Sequence, residues 1–179
     1  MTPDWRANVL KFWFELKREQ WWKADPELDL RIRQNFLKLW AEKRQLPVEA
    51  FLADPLSATA AVILFDQFPR NMFRGSAEQF ATDQLALAIA KRAVDAGLDE
   101  ALEHDERKFL YMPFEHSENL EDQNRAILLF TRLGDEEQVK YAKLHRDVIE
   151  RFGRFPHRNA ILGRAPRPDE LAAGEVLPW

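Results

Sequence analysis

The chain has 179 residues, 46% hydrophobic and 12% aromatic, with a net charge of -4. That length suits one domain, 1–179, with a full core, and the acidic balance supplies no basic field for nucleic acid. The absence of cysteine excludes disulfides, thiolate catalysis and Cys-based zinc sites, and no apolar run approaches the roughly 20 residues of a membrane span.

The periodicity is helical nearly throughout, with no alternating strand. Thr2-Pro3 opens a first helix with Trp5, Val9, Phe12, Trp13 and Leu16 on one face. It fades near Trp21-Trp22. Asp25-Pro26-Glu27 caps a second helix, whose stripe is Leu28, Ile32, Phe36, Leu39 and Trp40. A short turn covers Val48 to Leu52. Asp54-Pro55 starts a third long helix, expected to end before Pro69. Ser76 and Gln79 form a capping box that opens the next, with Gly97 as its C′ residue. Asp99 caps another, stopped by Pro113. Ser117 is expected to cap the helix that Gly134 closes. Asp135 and Gln138 open the last long helix, ended by Gly153. The predicted fold is all-α: an irregular antiparallel array of about eight helices, with its core in about 4–164 and a C-terminal tail, 165–179.

Two segments repeat a signature. Phe68-Pro69-Arg70-Asn71 precedes Arg74-Gly75, and Phe155-Pro156-His157-Arg158-Asn159 precedes Gly163-Arg164. Each pairs fixed charge with amide hydrogen bonding. Up-down connectivity brings three connections to one end of the array: Asp66 to Gly75, Pro113 to Gln123, and Arg151 to Arg164. His145 falls seven residues before Phe152, about 10 Å down its helix from that end. The candidate ligand-binding set is Asp66, Gln67, Arg70, Asn71, Arg74, His116, Glu118, His145, Arg154, His157, Arg158 and Asn159. Arginine forks bind carboxylate or phosphate, and helix starts at Ser76 and Ser117 aim positive dipole ends the same way. His116 and Glu118 are the candidate catalytic acid–base groups. The middle connection is acidic and the third basic, so mutual neutralisation of loops is the competing explanation for the same residues. His116, Glu118, Asp122 and His145 are ligand types for a metal, but their spacing matches no metal motif, and no metal or cofactor is expected.

At these residues the chain resembles the bacterial and fungal proteins grouped as domain of unknown function nine-twenty-four, placed among tetratricopeptide-like helical folds. The resemblance rests on Val9 to Phe14, Trp21 to Ile32, Asp66 to Gly75, Pro113 to Gln123 and Phe152 to Arg164. It implies an all-helical, tetratricopeptide-like fold and no established activity. The family continues after its last motif with a Ser/Thr-containing turn before acidic residues, and Ala165-Pro166-Arg167-Pro168-Asp169-Glu170 departs from that.

The functional expectation is a cleft that accepts an anionic small molecule or a peptide carboxylate. The alternatives are a protein-interaction scaffold whose polar cluster is an ion-pair network, and a hydrolase or lyase acting on an anionic substrate. The N-terminus lacks a secretory signal pattern, so a cytoplasmic protein is expected, with no nucleic-acid or membrane partner.

Overall fold

Helices build from capped starts and glycine or proline ends. The computed structural model describes residues 4–178, and no strand occurs among them. The expected opening at Thr2-Pro3 lies outside the described residues. Helix α1 is Trp5–Phe14, with Asp4 capping the Arg6 amide, and α2 is Pro26–Lys43, with Asp25 accepting from the Glu27 and Leu28 amides. Leu28, Ile32, Phe36 and Trp40 are buried along α2, as their spacing predicts. The all-α class read from periodicity is the fold observed.

The chain forms two compact units, Met1–Leu110 and Tyr111–Trp179. In the first unit, the run expected to stop at Pro69 does not. It continues from α3, Pro55–Val62, through a π-helical turn, Ile63–Gln67, into α4, Phe68–Met72. Proline lacks the N–H that would bond the carbonyl four residues back. Here that carbonyl, on Phe65, accepts from the Thr82 hydroxyl at 2.6 Å. The π turn carries the ladder past the gap through a hydrogen bond from the Phe68 amide to the Ile63 carbonyl. Thr82 in turn accepts from the Trp40 indole at 3.0 Å, so one buried hydroxyl satisfies two buried groups.

Three other expected helix boundaries shift. Ser76 caps only a 3-10 turn, Ala77–Phe80, and the long helix α5 spans Asp83–Asp95. Gly97 ends it in the left-handed conformation, φ 70°. Asp99 lies in a second 3-10 turn, Leu98–Ala101, and α6 spans His104–His116 with Pro113 inside it rather than after it.

In the second unit, α7 is Leu120–Leu133 and α8 is Glu136–Phe152. The cap of α7 is Asn119, not Ser117. Asn119 accepts from the Glu121 and Asp122 amides, while Ser117 donates to the Asp122 carboxylate at 2.7 Å. Gly134 turns α7 back along α8, with the Asp135 amide bonding the Phe130 carbonyl. After Gly153, a 3-10 turn at Pro156–Arg158 leads into α9, Asn159–Leu162. The tail forms α10, Pro168–Ala173, then an extended stretch. Ala173 and Val176 pack on Val148, Ile149, Phe152 and Phe155.

Candidate functional site

Within the first unit, the DQFPRN segment lies on the π turn and α4. Asp66 is wholly buried; its carboxylate accepts from Gln67 at 2.8 Å and lies 3.5 Å from Arg70. Arg70 meets Asp83 fork to carboxylate at 2.8 and 3.0 Å, and also donates to the Asp66 carbonyl at 2.6 Å. Burial works against the Arg70 charge, but Asp83 and then Asp66 outweigh it and hold the guanidinium firmly protonated. Asn71 donates to Asp29 at 2.8 Å, and Arg74 bridges both oxygens of the same carboxylate at 2.7 and 2.9 Å. That bond to Asp29 raises the Arg74 pKa. Arg33 donates to the Met72 carbonyl, closing the end of α4. The acceptors Asp29 and Asp83 carry only a local signal in the sequence. Each falls in the first turn of its helix, where an acid reads as a dipole partner.

Within the second unit, the two other connections meet. The Glu118 carboxylate accepts from Arg164 at 2.8 and 3.0 Å and from the Phe155 amide at 2.7 Å. Burial favours protonated Glu118, but Arg164 and the Phe155 amide prevail and hold its pKa below the usual value. Arg164 also donates to the Phe155 carbonyl and to Asn159. Arg158 donates to the His116 carbonyl at 3.0 Å. Arg154 meets Glu170 fork to carboxylate at 2.6 and 2.9 Å, and Glu170 also accepts from Asn159 and from the Arg167 amide. Arg154 foremost pulls the Glu170 pKa down to about 2. Glu170 sits in the tail outside the polar connections, so the sequence offered only its place in the first turn of α10 as a signal.

The buried Phe155 ring is the centre of this cluster. Arg158 stacks over it at 4.6 Å, His145 meets it edge-on at 5.6 Å, and His157 tilts against it at 5.5 Å. His145 Nδ1 lies 2.8 Å from the Tyr141 carbonyl and 3.1 Å from Glu115 Oε1. Both neighbours are acceptors, so Nδ1 carries hydrogen. Burial pushes the His145 pKa down to about 3; the Tyr141 carbonyl opposes this, and His116, Arg158 and His157 add to it. The ring is neutral at physiological pH. Gln123, buried on α7, donates to the Glu115 and Ser117 carbonyls, and its Oε1 has no hydrogen-bond partner. Among the described residues, no group of three or more His, Asp or Glu side chains is placed to hold a metal ion.

A family model described as bacterial protein of unknown function (DUF924) matches residues 9–173. The chain belongs to this family. The match extends through α10 and so spans both Arg154 and Glu170. A solved protein of unknown function from Agrobacterium tumefaciens is 39% identical to this DUF924 member, covering 95% of this chain and 96% of its own, with a TM-score of 0.86. No curated protein matches the chain. Among the described residues, no helix is long and apolar enough to cross a membrane.

Proposed function

We propose that this DUF924 protein binds an anionic small molecule or a peptide carboxylate in its second unit, at the groups gathered around Phe155. The observation that carries the reading is the convergence of Arg158, His145 and His157 on one buried ring whose backbone is pinned by Glu118 and Arg164. An aromatic platform fixes the guanidinium, and a fixed fork binds an oxyanion with little ordering cost. His116, His157 and His145 stand beside it. Glu118 and Asn159 act as positioning residues, because Arg164 engages both. Asp66, Gln67, Arg70, Asn71 and Arg74 act as clamps on α2, α4 and α5, and Arg154 ties the tail. A cytoplasmic setting belongs to this reading, and a chain without cysteine is compatible with it.

The test is a thermal-shift screen of phosphate, sulfate, acetate, citrate and short peptides against the whole chain, Arg158→Ala and Arg74→Ala. Stabilisation of the parent and of Arg74→Ala, lost in Arg158→Ala, supports the site. No stabilisation by any anion counts against it.

A second reading is favoured by the four two-point Arg–carboxylate pairs of Arg70, Arg74, Arg154 and Arg164. In it the whole cluster is structural and the protein is an interaction scaffold. Arg158→Ala then behaves as Arg74→Ala does, with a lower melting temperature and the same response to anions.

A further inference from the structure

Along one edge of α2, in the first unit, two guanidinium groups are held on aromatic rings. Arg33, exposed, stacks over the half-buried Phe73 ring at 5.5 Å and donates to the Met72 carbonyl at 2.8 Å. Arg44, half-buried, stacks over the Trp40 ring at 4.3 Å. The two rings lie 4.9 Å apart, and the Trp40 indole is anchored on Thr82. Among the described residues neither guanidinium meets a carboxylate. Asp29 sits one turn before Arg33, where an ion pair along the helix would form. Arg74 and Asn71 already hold both of its oxygens. Trp40, Ala41, Pro47 and Val48 occupy the positions one turn from Arg44, so no acid stands there.

Leu30, 54% exposed, and the half-buried Leu37 share that edge. Positions 30, 33, 37 and 44 fall within one narrow arc of an α-helix, and Arg33 and Arg44 stand about three turns, roughly 16 Å, apart. The strip therefore reads apolar, cationic, apolar, cationic along its length. A guanidinium already fixed on a ring loses little freedom when a carboxylate docks on it. We infer that this edge of α2 docks an acidic amphipathic helix of a partner protein. Two carboxylates of the partner, about three turns apart, meet Arg33 and Arg44, and its apolar side chains between them cover Leu37 and Phe73. Charge complementarity selects the acidic partner. A nucleic acid suits the strip less well, because the net charge of -4 opposes a polyanion and the leucines offer a phosphate backbone nothing. The inference concerns the first unit and stands apart from the anion site proposed in the second.

Fluorescence anisotropy of a dye-labelled helical peptide titrated with the whole chain tests it. The peptide carries two glutamates about three turns apart, with two leucines between them on the same face. The Arg44 side chain makes no hydrogen bond among the described residues, so Arg44→Gln is the decisive variant, and its melting temperature checks that it folds. Arg44→Gln is expected to weaken binding about fivefold, and the double variant with Arg33→Gln about twentyfold. Lys38→Gln removes the same charge from a different face of α2, where Lys38 lies 3.9 Å from Glu42, and is expected to change binding by less than about twofold. Glutamine in place of both peptide glutamates should abolish binding to the parent chain, a comparison that needs no protein variant. Equal weakening in Lys38→Gln and Arg44→Gln, or no binding of the peptide to the parent chain, overturns the inference. Single-stranded DNA of similar length that binds the parent chain more tightly than the peptide, and less so in Arg44→Gln, overturns it in favour of a nucleic acid. Self-association of the parent chain in sedimentation, lost in Arg44→Gln, overturns it in favour of a second copy.

Discussion

Glu118 and Arg164 meet in a two-point ion pair across 46 residues of chain, and between them they hold both backbone polar groups of Phe155. The Phe155 amide donates to the Glu118 carboxylate, and the Phe155 carbonyl accepts from Arg164. Four bonds thus fix the residue that carries His145, His157 and Arg158 around its ring. The pair is about a quarter exposed on each side, so its charge attraction is screened, and its main effect is on geometry.

Glu118→Gln is expected to lower unfolding free energy by about 1–2 kcal/mol, the scale of a partly exposed charge-assisted bond. Urea denaturation measures it. A double-mutant cycle with Arg164→Ala should return a coupling of about 1 kcal/mol. A coupling of zero would mean that the two side chains act independently.

Thr82→Val keeps the volume of a side chain that is only 3% exposed. It removes the donor to the Phe65 carbonyl and the acceptor of the Trp40 indole. Two buried groups then lack partners, and the expected loss is about 2–4 kcal/mol. Pro69→Ala restores an amide near the same carbonyl and should recover part of it in the double variant. Equal losses in Thr82→Val and in the double variant would show that an amide at position 69 does not reach the Phe65 carbonyl.

His145 gives stability a dependence on pH. The folded ring resists protonation until about pH 3, against an ordinary value of 6.5, so the unfolded chain binds the extra proton between those limits. Stability is full above about 6.5 and falls on acidification, with a slope approaching about 1.4 kcal/mol per pH unit. Glu118, whose folded pKa is lowered from 4.5, adds a further loss only below that value. Denaturation midpoints at pH 5 to 8 should therefore decline towards pH 5 in the parent and stay nearly flat in His145→Gln. Parallel curves would contradict a neutral His145.

Glu170→Ala removes the carboxylate shared by Arg154, Asn159 and the Arg167 amide. The tail through Val176 should then loosen from Phe152 and Phe155. Limited proteolysis with trypsin is expected to cut after Arg164 several-fold faster, and amide exchange in α10 should rise while α7 is unchanged. An unaltered cleavage rate would show that Ala173 and Val176 alone hold the tail.

Local patterns were legible where one element answers to its own residues. The α2 stripe, the Asp25 cap and the left-handed glycines at 97, 134 and 153 follow from spacing and backbone preference. Boundaries at proline misread because relief came from elsewhere. Pro69 rides on a π turn and a threonine thirteen residues on, and Pro113 lies inside α6. Ser117 looked like a cap, but its hydroxyl faces Asp122, and Asn119 holds the amides. Meeting of the HSE and FPHRN segments was legible from helix counting, and their bonds realise it.

The sequence by itself determined an all-helical chain of this family, because apolar period and capping residues act within a few residues of one another. It also determined which segments carry unusual polar chemistry. Only the tertiary structure decided what each charge faces. Asp29, Asp83 and Glu170 claim Arg74, Arg70 and Arg154, while Phe155 gathers Arg158, His145 and His157. A side chain's partner depends on where distant elements bring their atoms, and the forces involved act over only a few ångströms. The two similar units, FPRN and FPHRN, therefore differ in surroundings: the first is closed by carboxylates on neighbouring helices, and in the second His157 and Arg158, with His145 of α8, gather on the Phe155 ring.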